Sequence, residues 1–160
     1  LVSANEKKQL EEVGLEIFEL TKIVSMARAQ ARPKDVETLT ETESVTLDLL
    51  SKADTMTVGE IQKHIGVLPA QMSRIVRSLE DKGGEAYIAC SINPNDRRKI
   101  DVSITKEGQR SLDEYRNARL GFTVRIMEGL TADEREAFMQ TLRKIRRHVQ
   151  SLLKQPKGSK

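Results

Sequence analysis

The apolar residues between Thr57 and Thr105 change their period, and this constrains the fold more than any other feature of the chain. Val58, Ile61 and Ile65 recur at helical spacing, as do Met72, Ile75, Val76 and Leu79. Only Gly66-Val67-Leu68 separates the two sets, so two short helices must be joined by a tight turn. Gly66 suits a left-handed cap on the first, and Pro69 suits the first turn of the second. Lys82, Gly83 and Gly84 mark the stop. From there the period is two. Ala86, Ile88, Cys90 and Ile92 fall on one side of a strand, and Ile100, Val102 and Ile104 on one side of another. Asn93-Pro94-Asn95-Asp96-Arg97 between them is rich in turn formers, which predicts a two-stranded ribbon with a charged tip.

Helical periodicity flanks this region. A long helix is predicted over 5–31, with Leu10, Val13, Ile17, Leu20, Val24, Ala27 and Ala31 on one stripe, mostly Glu, Lys, Gln and Arg opposite, and Pro33 just beyond its end. Thr40 and Glu43 form a capping box for a helix running to about Ser51, with Val45, Leu49 and Leu50 as its buried side. Thr57 and Glu60 repeat that signature. Thr105 is placed to cap a helix extending to about Glu128, with Leu112, Tyr115, Phe122 and Ile126 apolar. Leu130, Thr131 and Glu134 read as a staple and capping box for a last helix over 132–153, followed by a tail from Pro156. The expected fold class is mainly α (α+β). A winged helix-turn-helix lobe over 38–105 stands between an N-terminal dimerisation helix and linker, 1–37, and C-terminal dimerisation helices with a basic tail, 106–160.

Composition bounds the partners. One cysteine excludes an intrachain disulfide, the apolar stretches are far too short to span a membrane, and the N-terminus has no apolar signal core. The expectation is a cytoplasmic protein with no membrane partner. The overall charge of +3 is uneven: residues 1–96 carry a net −5 and residues 97–160 a net +8. A basic second part permits a nucleic-acid partner without proving one.

In a helix-turn-helix the second helix enters the major groove. Ala70, Gln71, Ser73, Arg74 and Arg77 lie opposite the apolar back of that helix. Gln71 and Arg74 have the donor geometry for base edges, and Ser73 or Arg77 for phosphate. At the ribbon tip, Arg97, Arg98 and Lys99 suit the backbone or the narrow minor groove. Asp96 can pair with Arg98 to fix the tip, which leaves Arg97 as the groove probe and Arg98 as scaffold. The turn register could also exchange those roles.

The run TVGEIQKHIGVLPAQMSRIVRSLEDKG, Thr57 to Gly83, resembles the helix-turn-helix of the MarR family. DRRKIDVSITKEG, Asp96 to Gly108, resembles its wing return strand and the start of the next helix. The order of long helices also fits, so the resemblance spans nearly the whole chain. It implies a winged-helix transcriptional regulator, a homodimer on inverted-repeat operators in double-stranded DNA. Such regulators are often repressors released by a small-molecule effector or by oxidation. By resemblance Gln71, Ser73, Arg74 and Arg77 fall on the recognition helix and Arg97 on the wing. Two positions depart from the family pattern. Leu68 stands where the family often has a Ser or similar N-cap, so this helix loses a usual cap. Gly84 stands where a bulkier apolar residue often leads into the wing, so the two glycines are expected to loosen that hinge.

Dimerisation also has a warrant in the residues. Leu10, Val13 and Ile17, and Phe138, Leu142, Ile145, Val149 and Leu152, make more apolar stripe than a small winged helix can cover. Pairing two chains would set two recognition helices about 34–36 Å apart. Cys90, a candidate redox thiol, alternates with Ile88 and Ile92, so packing in the wing is its better reading. His64 and His148 have no ligand partners at zinc spacing, so neither a metal nor another cofactor is expected. Met26, Met127 and Met139 read as adaptable packing residues. There is no phosphate-binding glycine loop, nucleophile elbow or His-Glu zinc motif, so no enzyme is predicted. Two alternatives stand beside the regulator: a winged-helix protein-interaction module and a non-specific architectural DNA-binding protein.

Overall fold

The computed structural model describes residues 3–30 and 39–154. The end of the first helix at Ala31, the break at Pro33 and the tail from Pro156 lie outside the described residues. The elements are α1 (Ala4–Gln30), α2 (Glu41–Leu50), β1 (Met56–Thr57), α3 (Val58–Ile65), α4 (Pro69–Glu80), β2 (Ile88–Ile92), β3 (Ile100–Ile104), α5 (Lys106–Met127) and α6 (Ala132–Lys154). They divide into two compact units, Leu1–Leu112 and Asp113–Lys160.

In the first unit, α2, α3 and α4 pack on each other and on a small antiparallel sheet. Their shared core is Leu39, Leu47, Leu50, Ile61, Met72, Ile75, Leu79, Ile88, Val102 and Leu112. The predicted ribbon is in place, with Ile88 opposite Ile104, Cys90 opposite Val102 and Ile92 opposite Ile100. The sheet has a third strand that periodicity did not reveal. Met56 and Thr57 pair with Val102 and Asp101, giving the order β1-β3-β2. Two residues are too few to show an alternation, and the pairing ties the start of α3 to the base of the wing.

The buried side of α2 differs from the expected one. Val45 is exposed and Leu49 half-buried, whereas Glu43, Thr46, Leu47 and Leu50 face inward. Three- and four-residue steps from Leu50 reach Leu47, Thr46 and Glu43, so two polar residues share the stripe and mask it in the sequence. Helix α1 also departs from expectation. No residue of α1 is buried, and Leu15, Phe18 and Met26 are exposed across the helix from Val13, Ile17, Leu20 and Val24. At 100° per residue these are opposite faces, so α1 carries two apolar stripes rather than one.

In the second unit the remainder of α5 is followed by α6. Thr131 caps α6: its N–H donates to Glu134 Oε2 at 2.7 Å, and Glu134 N–H donates to Thr131 Oγ1 at 3.3 Å. Every side chain of α6 through Leu153 is exposed. Phe138, Leu142, Ile145, Val149 and Leu152 share one face of it, three and four residues apart. No described helix is long and apolar enough to cross a membrane.

Candidate nucleic-acid interface

Helix α3 begins at a capping box, with Glu60 N–H donating to Thr57 Oγ1 and Thr57 N–H to Glu60 Oε2 at 2.8 Å. It ends at Gly66, whose φ of +74 is the left-handed cap that glycine adopts without strain. The chain then turns through Val67 and Leu68 into α4, with Pro69 in the first turn. Met72, Ile75 and Leu79 bury the back of α4. The same rotation leaves Ala70, Gln71, Ser73, Arg74 and Arg77 exposed. The Ser73 hydroxyl donates to the Pro69 carbonyl at 3.1 Å, which leaves its lone pairs outward. Arg74 and Arg77 form no ion pair with the described residues. His64, on α3, holds its Nδ1 2.9 Å from the Glu60 carbonyl at the helix surface.

A buried ionic cluster sets the position of α4. Lys82 Nζ donates to Glu43 Oε1 at 2.9 Å, with the two side chains only 6% and 5% exposed. Ser78 Oγ donates to the same oxygen at 2.6 Å, and Thr40 N–H donates to Glu43 Oε2 at 2.7 Å. One carboxylate thus completes the α2 cap and holds the C-terminal end of α4. Burial pushes the Glu43 carboxyl up, but the bonds from Ser78, Thr40 and Lys82 outweigh it and hold it below the ordinary range. Sequence reasoning saw Glu43 as a capping residue and Lys82 as a stop signal, but not the pair. The sequence separation of 39 carries no local signal.

Helix α4 passes into the wing through a tight turn. Lys82 and Glu85 exchange backbone hydrogen bonds at 2.9 and 3.1 Å around Gly83 and Gly84, which have φ values of +62 and +83. Two consecutive positive φ angles are what a two-residue reverse turn of this kind requires. The glycines therefore build a defined corner rather than a loosened hinge. Tyr87 N–H donates to the Leu79 carbonyl at 2.8 Å, while the Tyr87 carbonyl accepts from Thr105 N–H at 3.1 Å. Thr105 Oγ1 donates to the Ala86 carbonyl and accepts from Gly108 N–H. Gly108 lies so close that a Cβ there would sit 2.1 Å from the Tyr87 carbonyl oxygen.

The wing tip is ordered by two side chains. Asn93 Oδ1 accepts from the N–H groups of Asn95 and Asp96, both at 2.9 Å, and Asn93 Nδ2 donates to Asp101. Asp96 Oδ1 accepts from Arg98 N–H at 3.2 Å and Arg98 Nε at 3.1 Å, with Lys99 Nζ 3.7 Å from Oδ2. The Arg98 side-chain and backbone bonds hold the Asp96 carboxyl below its ordinary range. Arg97 is exposed, and none of the described residues pairs with it. Asn93 was legible only as a turn former. Its hold on both the tip and Asp101 is a tertiary fact.

Cys90 is half-buried beside Glu80. Burial, and then the Glu80 carboxylate, push its thiol up to about 11, away from the thiolate that oxidation chemistry requires. Among the described residues no three His, Cys, Asp or Glu side chains gather as a metal site.

Two short helices in a tight turn, a third strand and an armed ribbon define a winged helix-turn-helix. Residues 39–100, the winged helix-turn-helix lobe, match the model of the MarR family. Among curated relatives, the transcriptional repressor MdtR of Bacillus subtilis is 31% identical over 96 residues, 60% of each chain. The chain spans about three-fifths of the length of the curated relatives it matches. The YusO protein of Bacillus subtilis shares the fold, with a TM-score of 0.67 at 24% identity over 91% of this chain and 98% of that one. So does BpsR of Bordetella bronchiseptica, whose DNA binding is regulated by 6-hydroxynicotinic acid. Its TM-score is 0.61 at 24% identity, over 84% of this chain and 98% of that one.

Proposed function

We propose that this protein is a sequence-specific double-stranded DNA-binding transcriptional regulator, acting in the cytoplasm as a homodimeric repressor. The observation that carries the reading is the outward side of α4 together with the wing tip. Gln71, Ser73, Arg74 and Arg77 stand exposed on a helix whose back is locked into the core, and Arg97 stands exposed on a tip braced by Asp96 and Arg98. Gln71 and Arg74 read base edges, Ser73 and Arg77 hold phosphate, and Arg97 enters the flanking minor groove. Similarity to MdtR, a transcriptional repressor, supports the direction of regulation.

A second copy of the chain is the partner for the apolar stripes. Leu10, Val13 and Ile17 on α1 are all more than half exposed, and the α6 stripe is likewise uncovered. A pair of chains covering these stripes would present two recognition helices to an inverted repeat. The effector is a small molecule rather than an oxidant, since Cys90 is held as a thiol and BpsR answers to a small aromatic acid. Coupling of about 1–3 kcal/mol between effector and DNA, about 5–150-fold in affinity, is enough to release an operator.

Selection of duplexes from a randomised pool, followed by affinities for the winner and a scrambled duplex at one salt concentration, tests this. An inverted repeat bound at least about 1000-fold more tightly is the expected result. Equal, salt-sensitive affinities would establish an architectural binder, and no binding at low salt would establish a protein-interaction module.

A further inference from the structure

We infer that Leu68 reads the 5-methyl group of a thymine in the major groove, and so sets sequence preference at one position of each half-site. The inference rests on the DNA-binding reading above.

Leu68 is 74% exposed, the most exposed large apolar side chain described in the first unit. It occupies the N-cap of α4 with φ −72 and ψ 153, and its carbonyl accepts from Met72 N–H at 3.0 Å. That backbone is the ordinary N-cap conformation, in which a Ser or Asp side chain would accept from the first free amides. Leu68 makes no such bond. The chain uses a side-chain cap at Thr40, Thr57 and Thr131. At α4 it forgoes that stabilisation and leaves a leucine in water as well. Both losses fall on the free protein, and an apolar group that covers Leu68 in a complex would recover the cost of the exposed leucine.

The neighbourhood names that group. Pro69, Ala70 and Gln71 are exposed beside Leu68, and no charged side chain precedes Arg74 in the helix. The leading edge of α4 is therefore uncharged, with Leu68, Pro69 and Ala70 apolar beside Gln71 and the cationic residues one turn further on. In a helix-turn-helix this leading edge meets the base edges. Across all four bases the major groove displays one apolar group, the thymine methyl. Leu68 has the reach and chemistry to cover it, whereas a capping Ser would present a hydroxyl.

The probe is the duplex that the full-length protein selects from a randomised pool. Each thymine is replaced in turn, in both half-sites, by deoxyuridine, which lacks only the methyl group. At one position the wild-type protein should lose about fourfold in affinity per half-site, the worth of one buried methyl-sized group. Leu68→Ser should bind the thymine and deoxyuridine duplexes alike. It should also melt about 2–4 °C higher, because serine restores the cap. The rise in Tm separates reading from packing: a leucine needed for the fold would lower Tm on replacement. The inference is overturned if no deoxyuridine position weakens wild-type binding, if Leu68→Ser keeps the discrimination, or if Leu68→Ser melts lower. A pool that yields no enriched duplex overturns the DNA-binding reading itself, and is distinct from an enriched duplex indifferent to the methyl group.

Discussion

Replacing Lys82 with methionine removes the cation from a buried pair and leaves the Glu43 carboxylate inside the lobe. Breaking such a pair from one side costs about 3–5 kcal/mol, because the remaining charge is desolvated and uncompensated. Here the carboxylate keeps Ser78 at 2.6 Å and Thr40 N–H at 2.7 Å, which places the loss near the lower end, about 3 kcal/mol. For a chain of this size that is a fall in Tm of about 6–12 °C. Lys52→Met is the control: Lys52 pairs with Asp48 at the surface, and an exposed pair contributes about 0–1 kcal/mol. The double variant Glu43→Gln/Lys82→Met should recover most of the loss, since no buried charge remains. The pH dependence follows from the lowered Glu43 pKa. A carboxylate depressed in the folded state contributes stability above its unfolded value near 4.5, and that contribution is lost as pH falls through the lower folded value. The penalty of Lys82→Met is therefore full at neutral pH and shrinks in acid, where Glu43 is protonated in both proteins. Thermal melts of the four proteins from pH 7 to pH 3 measure this. A Lys82→Met protein that melts with the Lys52→Met control at pH 7 would refute the claim that the pair anchors α4.

Gly108→Ala should destabilise the lobe by about 1–3 kcal/mol in urea unfolding, because its Cβ meets the Tyr87 carbonyl, a backbone atom held from both sides. Arg97→Ala should weaken DNA binding on all sequences and reduce the log–log salt slope by about 0.9 for each phosphate left without its cation, whereas Arg74→Ala should chiefly erode discrimination between duplexes. Ile145→Glu on the exposed stripe of α6 should shift the protein from dimer to monomer in sedimentation while the far-ultraviolet spectrum stays helical. Cys90 should react slowly with a disulfide reagent at pH 7 and accelerate only toward pH 11, as the thiol ionises; rapid reaction at neutral pH would reopen oxidation as the signal.

Periodicity placed six helices and the ribbon within a residue or two of where they stand at every end that the described residues include, because each has enough turns or alternations to show its own pattern. The turn at Gly66, the capping boxes at Thr40, Thr57 and Thr131, and the outward set on α4 were legible for the same reason: cap chemistry and helical phase act over three or four residues. The pairing of Asp96 with Arg98 was also legible, since two residues across a turn have few alternatives. The inward side of α2 was not, since Glu43 and Thr46 sit in the core among leucines and look like surface residues. Strand β1 was hidden by its length of two residues.

The sequence by itself thus determined the local elements, the face α4 turns outward and the family model that the lobe matches. Tertiary structure alone decided how that face is held. Lys82 reaches Glu43 across 39 residues, Tyr87 bonds Leu79 on one side and Thr105 on the other, and β1 closes the sheet on β3. These interactions join residues that are distant in the chain and similar in type to many others. Their partners are chosen by the packing of the three helices on the sheet, which no window of sequence contains.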